Sequence, residues 1–448
     1  MDYHRPMKLT RKLGLLFATS VLVPAVAIQG LSQQKVNKTE QAQGREILRK
    51  VEDTIERNYY DPKFRGIDLK ANFDEAEKKM DQAPNLSFGL GIIALAVETL
   101  KDSHTYFIPP LRNVVVYPGW QIDSVGEQCL VSAVDTRSDA WKQGLRTGDE
   151  VFRLQGYALD RASLPSVKYH LDVVYPLSAY QMVVASPGKA ARMITPKSEM
   201  VTLPQTLNSF TGGDARHQLD RISQGYYRVS KVRTANIGDK VMVWKLPEFN
   251  LKQTEIEHII EQAKKREFLI LDLRDNGGGG EEILKWMIES FFDHDVTVGE
   301  LIERTKNTPL KVPGKQGHAF QGKLIVLVNS ASASASEVFA RTVQLEKRGT
   351  IVGDVTAGEV GQDQAFVMTS GGSTFITYIM EITTARLRLP DGGDLEGVGV
   401  TPDVKSLPTA LDMAEERDPV LARAAQLAGV EITPEDAGKL FPVVWATH

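Results

Sequence analysis

The chain has a single cysteine, Cys129, in 448 residues. That excludes an internal disulfide, and it removes the paired thiolates on which most zinc sites are built. No run of lysines and arginines is long enough to follow a phosphate backbone, and the net charge of -4 shows no basic excess. Nucleic acid is therefore not an expected partner. The glycine run from Gly277 to Gly280 has no Gly-Lys-Ser or Gly-Lys-Thr after it, which argues against a phosphate-binding loop. His170, His217, His258, His294 and His318 fall singly, without metal-ligand spacing, so neither a metal nor another cofactor is expected.

Long apolar runs are also scarce. The exception is Leu13 to Ile28, which follows Arg5, Lys8, Arg11 and Lys12 and ends in Ala25-Val26-Ala27. This is the layout of a secretory signal peptide, placed at residues 1–28, and it predicts a periplasmic or secreted protein of bacterial type. The stretch is short for a membrane span and contains Pro24. An uncleaved N-terminal anchor is the alternative, and it would be the only membrane attachment.

What is present changes character along the chain. After a polar tether around Gln33 to Gln43, apolar residues from Ile47 to Leu100 recur at helical spacing, which predicts a helical domain over 38–110. From 114 to 201 short alternating runs and turn residues predict a β-rich domain. Trp120, Trp141 and Tyr117 read there as core or groove packing. Residues 203–225, rich in Gly, Asn and Ser, read as a linker or insertion. Beyond it Val241 to Trp244 and Phe268 to Leu273 read as strands. Between them Thr254 and Glu257 form a capping-box pattern ahead of an amphipathic helix. That strand–helix–strand order predicts a mostly parallel sheet in a core over 226–410, followed by a helical tail over 411–448.

Two segments carry chemistry. Leu271 to Gly280, LDLRDNGGGG, is an apolar strand ending in four glycines, which allow positive φ and close approach of a substrate backbone. Leu324 to Ala340, LIVLVNSASASASEVFA, is a second apolar strand that breaks into serines and alanines before a helix whose first turn holds Glu337. A serine at such a junction faces free backbone N–H groups that can stabilise an oxyanion. The plain alternative is a low-complexity loop of alternating serine and alanine.

Together the two segments resemble the tail-specific or C-terminal processing serine peptidases and tricorn protease, and Glu396 to Asp403, EGVGVTPD, is similar to that family's closing motif. The resemblance implies a multidomain α/β protein: a helical N-terminal domain, a β-rich PDZ-like domain and a catalytic α/β spiral related to ClpP and crotonase. It implies Ser334 as nucleophile, with an oxyanion hole from Ala335 N–H and a glycine N–H at Gly278 or Gly279. In C-terminal processing proteases a lysine about 25 residues beyond the serine is the base, but Glu359 stands there, and Lys347 is the only lysine between Ser334 and Lys405. Tricorn-type members use a histidine preceded by a serine. Ser103 and His104 supply that pair, with Glu396 as the distant carboxylate and Asp102 as the second candidate to orient the ring. The stretch from Val134 to Gly156 is similar to a PDZ domain, which implies peptide binding by strand addition along Gly119, Trp120, Gln121 and Ile122. The implied activity is hydrolysis of polypeptides, including unfolded chains or C-terminal tails. A non-catalytic binding protein for peptides or small hydrophobes on the same scaffold is the alternative.

Overall fold

The structure is a computed structural model that describes residues 37–110, 114–202, 231–371 and 375–445. The signal-peptide and linker assignments lie outside the described residues. Among those residues, no helix is long and apolar enough to cross a membrane.

Three helices, Lys38–Asn58, Leu69–Met80 and Leu86–Glu98, form the N-terminal part and bury Ile47, Val51, Ile55, Phe73, Ile93 and Val97 against one another. The polar tether is shorter than its composition suggests. Asn37 caps the first helix by accepting the N–H groups of Thr39 and Glu40, so helix begins at Lys38. Residues 114–202 form a mainly antiparallel β domain. Its larger sheet runs Trp120–Val125, Gln128–Val134, Glu150–Leu154, Met182–Ala185 and Arg192–Ile194, with Trp120–Val125 on one edge.

The remaining chain is built on a six-stranded sheet in the order Arg233–Ile237, Val241–Lys245, Phe268–Asp272, Lys323–Val328, Gly349–Gly353 and Val404–Lys405. Every pairing after the first is parallel. The continuous apolar strands follow from burial on both faces. Leu324, Val326 and Val328 enter one core with Phe339 and Val343, whereas Ile325 and Leu327 meet Val420, Leu421, Ala424 and Ala425 of the C-terminal helix Pro419–Leu427. The C-terminal tail is thus the cover of the sheet's second face.

One capping pattern is displaced. The helix Gln253–Ala263 starts at a Lys252 cap, with the Glu255 carboxylate accepting the Lys252 N–H at 2.9 Å. Thr254 and Glu257 already lie inside the helix, because Glu255 reaches back to the cap two residues before the position the pattern marks.

A second sheet holds Tyr106–Ile108, Ile376–Arg388, Val296–Glu303 and Asn307–Val312, and Gln362–Ser370 folds back on Ile376–Arg388 as a hairpin. Through Tyr106–Ile108 the N-terminal part becomes a strand of this sheet. That strand delivers the residues just before it, Asp102 to Thr105, to the end of the core.

Candidate active site

Ser334 sits between the strand Lys323–Val328 and the helix Ala335–Leu345, with φ 54° and ψ -119°. A non-glycine residue at that φ and ψ lies outside the allowed wells and persists only where its surroundings hold it. Its N–H donates to Glu359 O at 2.8 Å and to Glu337 Oε2 at 3.1 Å. The neighbouring Ala333 N–H and Ser336 hydroxyl both donate to Asn276 O, at 2.9 and 3.0 Å. A Cβ at Gly278, where φ is +100°, would stand 2.7 Å from Ser334 Cβ, so only glycine lets the two loops touch.

The four serines of the run separate by their partners. Ser330 donates to Ser124 O, Ser332 to Leu273 O, and Ser336 to Asn276 O. Ser334 Oγ makes no hydrogen bond with the described residues, and it remains half-buried and reachable.

Glu337 is more than a helix-dipole residue. Its carboxylate is fully buried and accepts from Thr356 Oγ1 at 2.5 Å, Gly358 N at 2.8 Å, Glu359 N at 2.9 Å and Ser334 N. It therefore ties the Ser334 turn to the segment 356–360. The β domain grips the two residues just before that segment, since Arg161 bonds Asp354 Oδ2 and Val355 O and Gly126 N–H also donates to Asp354. Burial pushes the Glu337 carboxyl up from 4.5 to about 7 against the pull of its donors. Between those values the folded state holds a proton that the unfolded chain has released, so unfolding free energy falls as pH rises through that window. Urea denaturation across this range is expected to show a decline that Glu337→Gln lacks; parallel curves would remove the assignment.

Around His104 the partners are specific. Ser103 Oγ lies 2.7 Å from His104 Nδ1 and 2.8 Å from Glu396 Oε2, and Ser103 N–H donates to Glu396 Oε1 at 2.8 Å. A hydroxyl has one proton. With the carboxylate accepting it, Ser103 Oγ accepts from Nδ1–H, which leaves Nε2 with its lone pair free as a base. Val360 N–H donates to Glu396 Oε2 at 2.9 Å, and Arg65 stands 3.9 Å from Oε1. Burial raises the Glu396 carboxyl above its ordinary value, and the charge of Asp102 adds to the rise.

Asp102 does not address the ring. Its carboxylate accepts from Tyr59 Oη at 2.6 Å, Thr383 Oγ1 at 2.5 Å and the backbone N–H of His104 at 3.1 Å, so it shapes the turn that carries the histidine.

The structure ties the halves together through residues 359–361. Glu359 O takes the Ser334 N–H, Val360 N–H reaches Glu396, and Gly361 lies against His104, where an added Cβ would be 3.2 Å from Cγ. Among the described residues no hydrogen bond joins Ser334 Oγ to His104. Such bonds commonly tighten only once substrate is bound. Lys347 follows the far end of the helix Ala335–Leu345, which is about 16 Å long and begins next to Ser334.

The glycine loop has one unexpected contact. Gly278 N–H donates to Asn276 Oδ1 at 2.8 Å, whereas Gly279 N–H and Ala335 N–H donate to nothing among the described residues. Gly119 to Ile122 lie elsewhere, at the edge strand of the β domain, where Ile122 is buried and Trp120 packs edge-on to Tyr180. Asn276 stood in the quoted motif without a role. Tyr59 and Thr383 carried no sequence signal, because only the fold brings them to Asp102.

Residues 240–406 match the model of peptidase family S41. A C-terminal processing peptidase from the chloroplast of Tetradesmus obliquus is 26% identical over 391 residues, covering 80% of this chain and 76% of its own. A probable CtpA-like serine protease from Staphylococcus haemolyticus is 25% identical over 400 residues, covering 88% and 71%. Among solved structures, mature CPAF superposes with a TM-score of 0.63 at 15% identity, covering 84% of this chain and 95% of that one. The photosystem II D1 C-terminal processing protease gives 0.51 at 23% identity, covering 90% and 100%. These two likenesses concern the fold.

Proposed function

We propose that this chain, a serine peptidase related to family S41 and the carboxyl-terminal processing peptidases, is an exported endopeptidase that works through an acyl-enzyme on Ser334. The observation that carries the reading is the hydrogen-bonded series Glu396, Ser103, His104 beside a strained serine whose hydroxyl is uncommitted.

In this reading His104 Nε2 removes the Ser334 proton as Oγ attacks the scissile carbonyl, and the imidazolium is stabilised through Ser103 by Glu396. The developing oxyanion takes Ala335 N–H and Gly279 N–H, with Gly278 joining once Asn276 releases it. His104 then returns the proton to the leaving amine, and water repeats the sequence to free Ser334. The base is of the tricorn type, supported by the positions of Glu359 and Lys347. The core is an α/β spiral of the ClpP and crotonase kind. The β domain is PDZ-like, with the Gly119 to Ile122 edge holding an unfolded chain or C-terminal tail by strand addition.

A fluorophosphonate probe tests the assignment. Wild-type protein is expected to label, and Ser334→Ala and His104→Ala are not. Equal labelling of all three proteins would overturn it.

A further inference from the structure

Glu396 is the charged end of the proposed series, yet its side chain is only 9% exposed, and Asp102 adds a second negative charge nearby. A carboxyl so placed gives up its proton reluctantly, and a neutral Glu396 cannot stabilise an imidazolium. The site needs a positive charge behind it. Among the described residues Arg65 is the cation paired with Glu396, with Nη1 3.9 Å from Oε1. The other charged groups around it are negative or already paired. Asp394, which accepts the Glu396 N–H at 3.2 Å, pairs with Arg386; Asp102 accepts from Tyr59; Glu359 stands one residue before the Val360 donor. His104 reaches Glu396 through Ser103.

The backbone is strained to put Arg65 there. Phe64 and Arg65 both take left-handed backbone, with φ 50° and 55°, and neither is glycine. Successive residues of this kind persist only where their surroundings hold them. Here Asp61 accepts the N–H groups of Lys63 and Arg65 at 2.9 and 2.8 Å, and the Phe64 ring stacks 6.2 Å from Tyr59. The turn Phe64–Gly66 contains no buried residue, so core packing does not account for its shape. What it does is grip the histidine's turn from behind. Arg65 Nη1 donates to Lys101 O at 2.7 Å while Tyr59 Oη donates to Asp102, two adjacent residues just before Ser103 and His104.

We propose that Arg65 is a positioning residue of the peptidase site: its guanidinium holds the negative charge on Glu396 and fixes, through Lys101 O, the turn that carries Ser103 and His104. The proposal rests on the peptidase reading and deepens it by adding a cation that stands outside every motif of the sequence. Its signature is a pH dependence. Burial already raises the Glu396 carboxyl, and removal of the facing charge raises it further, so activity is lost first at the acid end.

The rate of fluorophosphonate labelling, followed from acid to alkaline pH, tests it. Arg65→Gln, which keeps a donor but loses the charge, is expected to move the acid limb upward by about half a pH unit or more. That is a loss of about threefold at about pH 5.5 that fades by about pH 9. Arg65→Lys is expected to keep the limb within about 0.2 unit and to retain at least about a third of the wild-type rate. In a Glu396→Gln background, Arg65→Gln is expected to move nothing further. An unmoved limb in Arg65→Gln, or an equal loss at every pH in both variants, means a structural role and overturns the proposal. The same shift without the Glu396 carboxylate means that Arg65 acts on the histidine directly, and also overturns it. A loss beyond about tenfold in Arg65→Lys overturns it even where the Gln variant does not fold. All these outcomes leave the peptidase reading intact; a wild type that does not label at any pH overturns both.

Discussion

His104→Ala is expected to lower kcat/KM for an unfolded polypeptide by about 10³ to 10⁴, with unchanged circular dichroism. The ring is half-buried at the end of a turn, so its loss opens no core cavity. What disappears is the proposed base of a hydroxyl which is a weak nucleophile alone. Ser334→Ala is expected to cost at least as much, and the double variant hardly more than either single one, because the two act as a unit. A fall below tenfold for His104→Ala, or full additivity in the double variant, would place the base elsewhere.

The second large effect concerns stability. Arg274 is half-buried between two carboxylates, donating from Nε and Nη2 to Asp272 and from Nη1 and Nη2 to Asp418. Against the cost of burial, Arg274 and Lys245 hold the Asp272 carboxyl below its ordinary value. Arg274→Ala leaves the fully buried Asp272 with Lys245, 3.4 Å away, as its one neighbouring cation, and with the backbone N–H at position 274. The expected loss is about 3–5 kcal/mol in urea denaturation, as for other broken buried pairs. Lys439→Ala, which removes the exposed partner of Asp436, is expected to stay within about 0.5 kcal/mol. Activity is expected to fall with Arg274, since Asn276 and the glycine loop begin two residues later. A loss below 1 kcal/mol would show that the three charges are solvated in solution.

The sheet was legible because its strands are apolar on both faces. Val241 to Trp244, Phe268 to Leu273 and Leu324 to Val328 were placed to within a residue, since a doubly covered strand has no polar alternation to confuse it with a surface helix. Helix starts were less legible, as at Lys38 and Gln253, where Asn37 accepting from the first turn, or Glu255 reaching back to the cap, outweighs composition. In the candidate site, motif residues could be named but their partners could not. Glu337 reads as a dipole residue until the segment 356–360 folds over it. Gly278 reads as a free donor until Asn276 is seen to occupy it. Asp102 and Ser103 are adjacent in sequence and equally polar, and only the positions of Tyr59, Thr383 and Glu396 separate their roles. Long-range contacts are what a single sequence encodes least directly.

The bond from Ser103 to Glu396 spans 293 residues of chain. Closing so wide a separation is slow and comes late in folding. A ribosome making this protein therefore releases the histidine first and the serine next, with the carboxylate arriving only when most of the molecule exists. Until then the nascent chain carries a histidine whose ring is unoriented and a serine without its proposed base. Timing of synthesis alone delays any cutting of neighbouring chains.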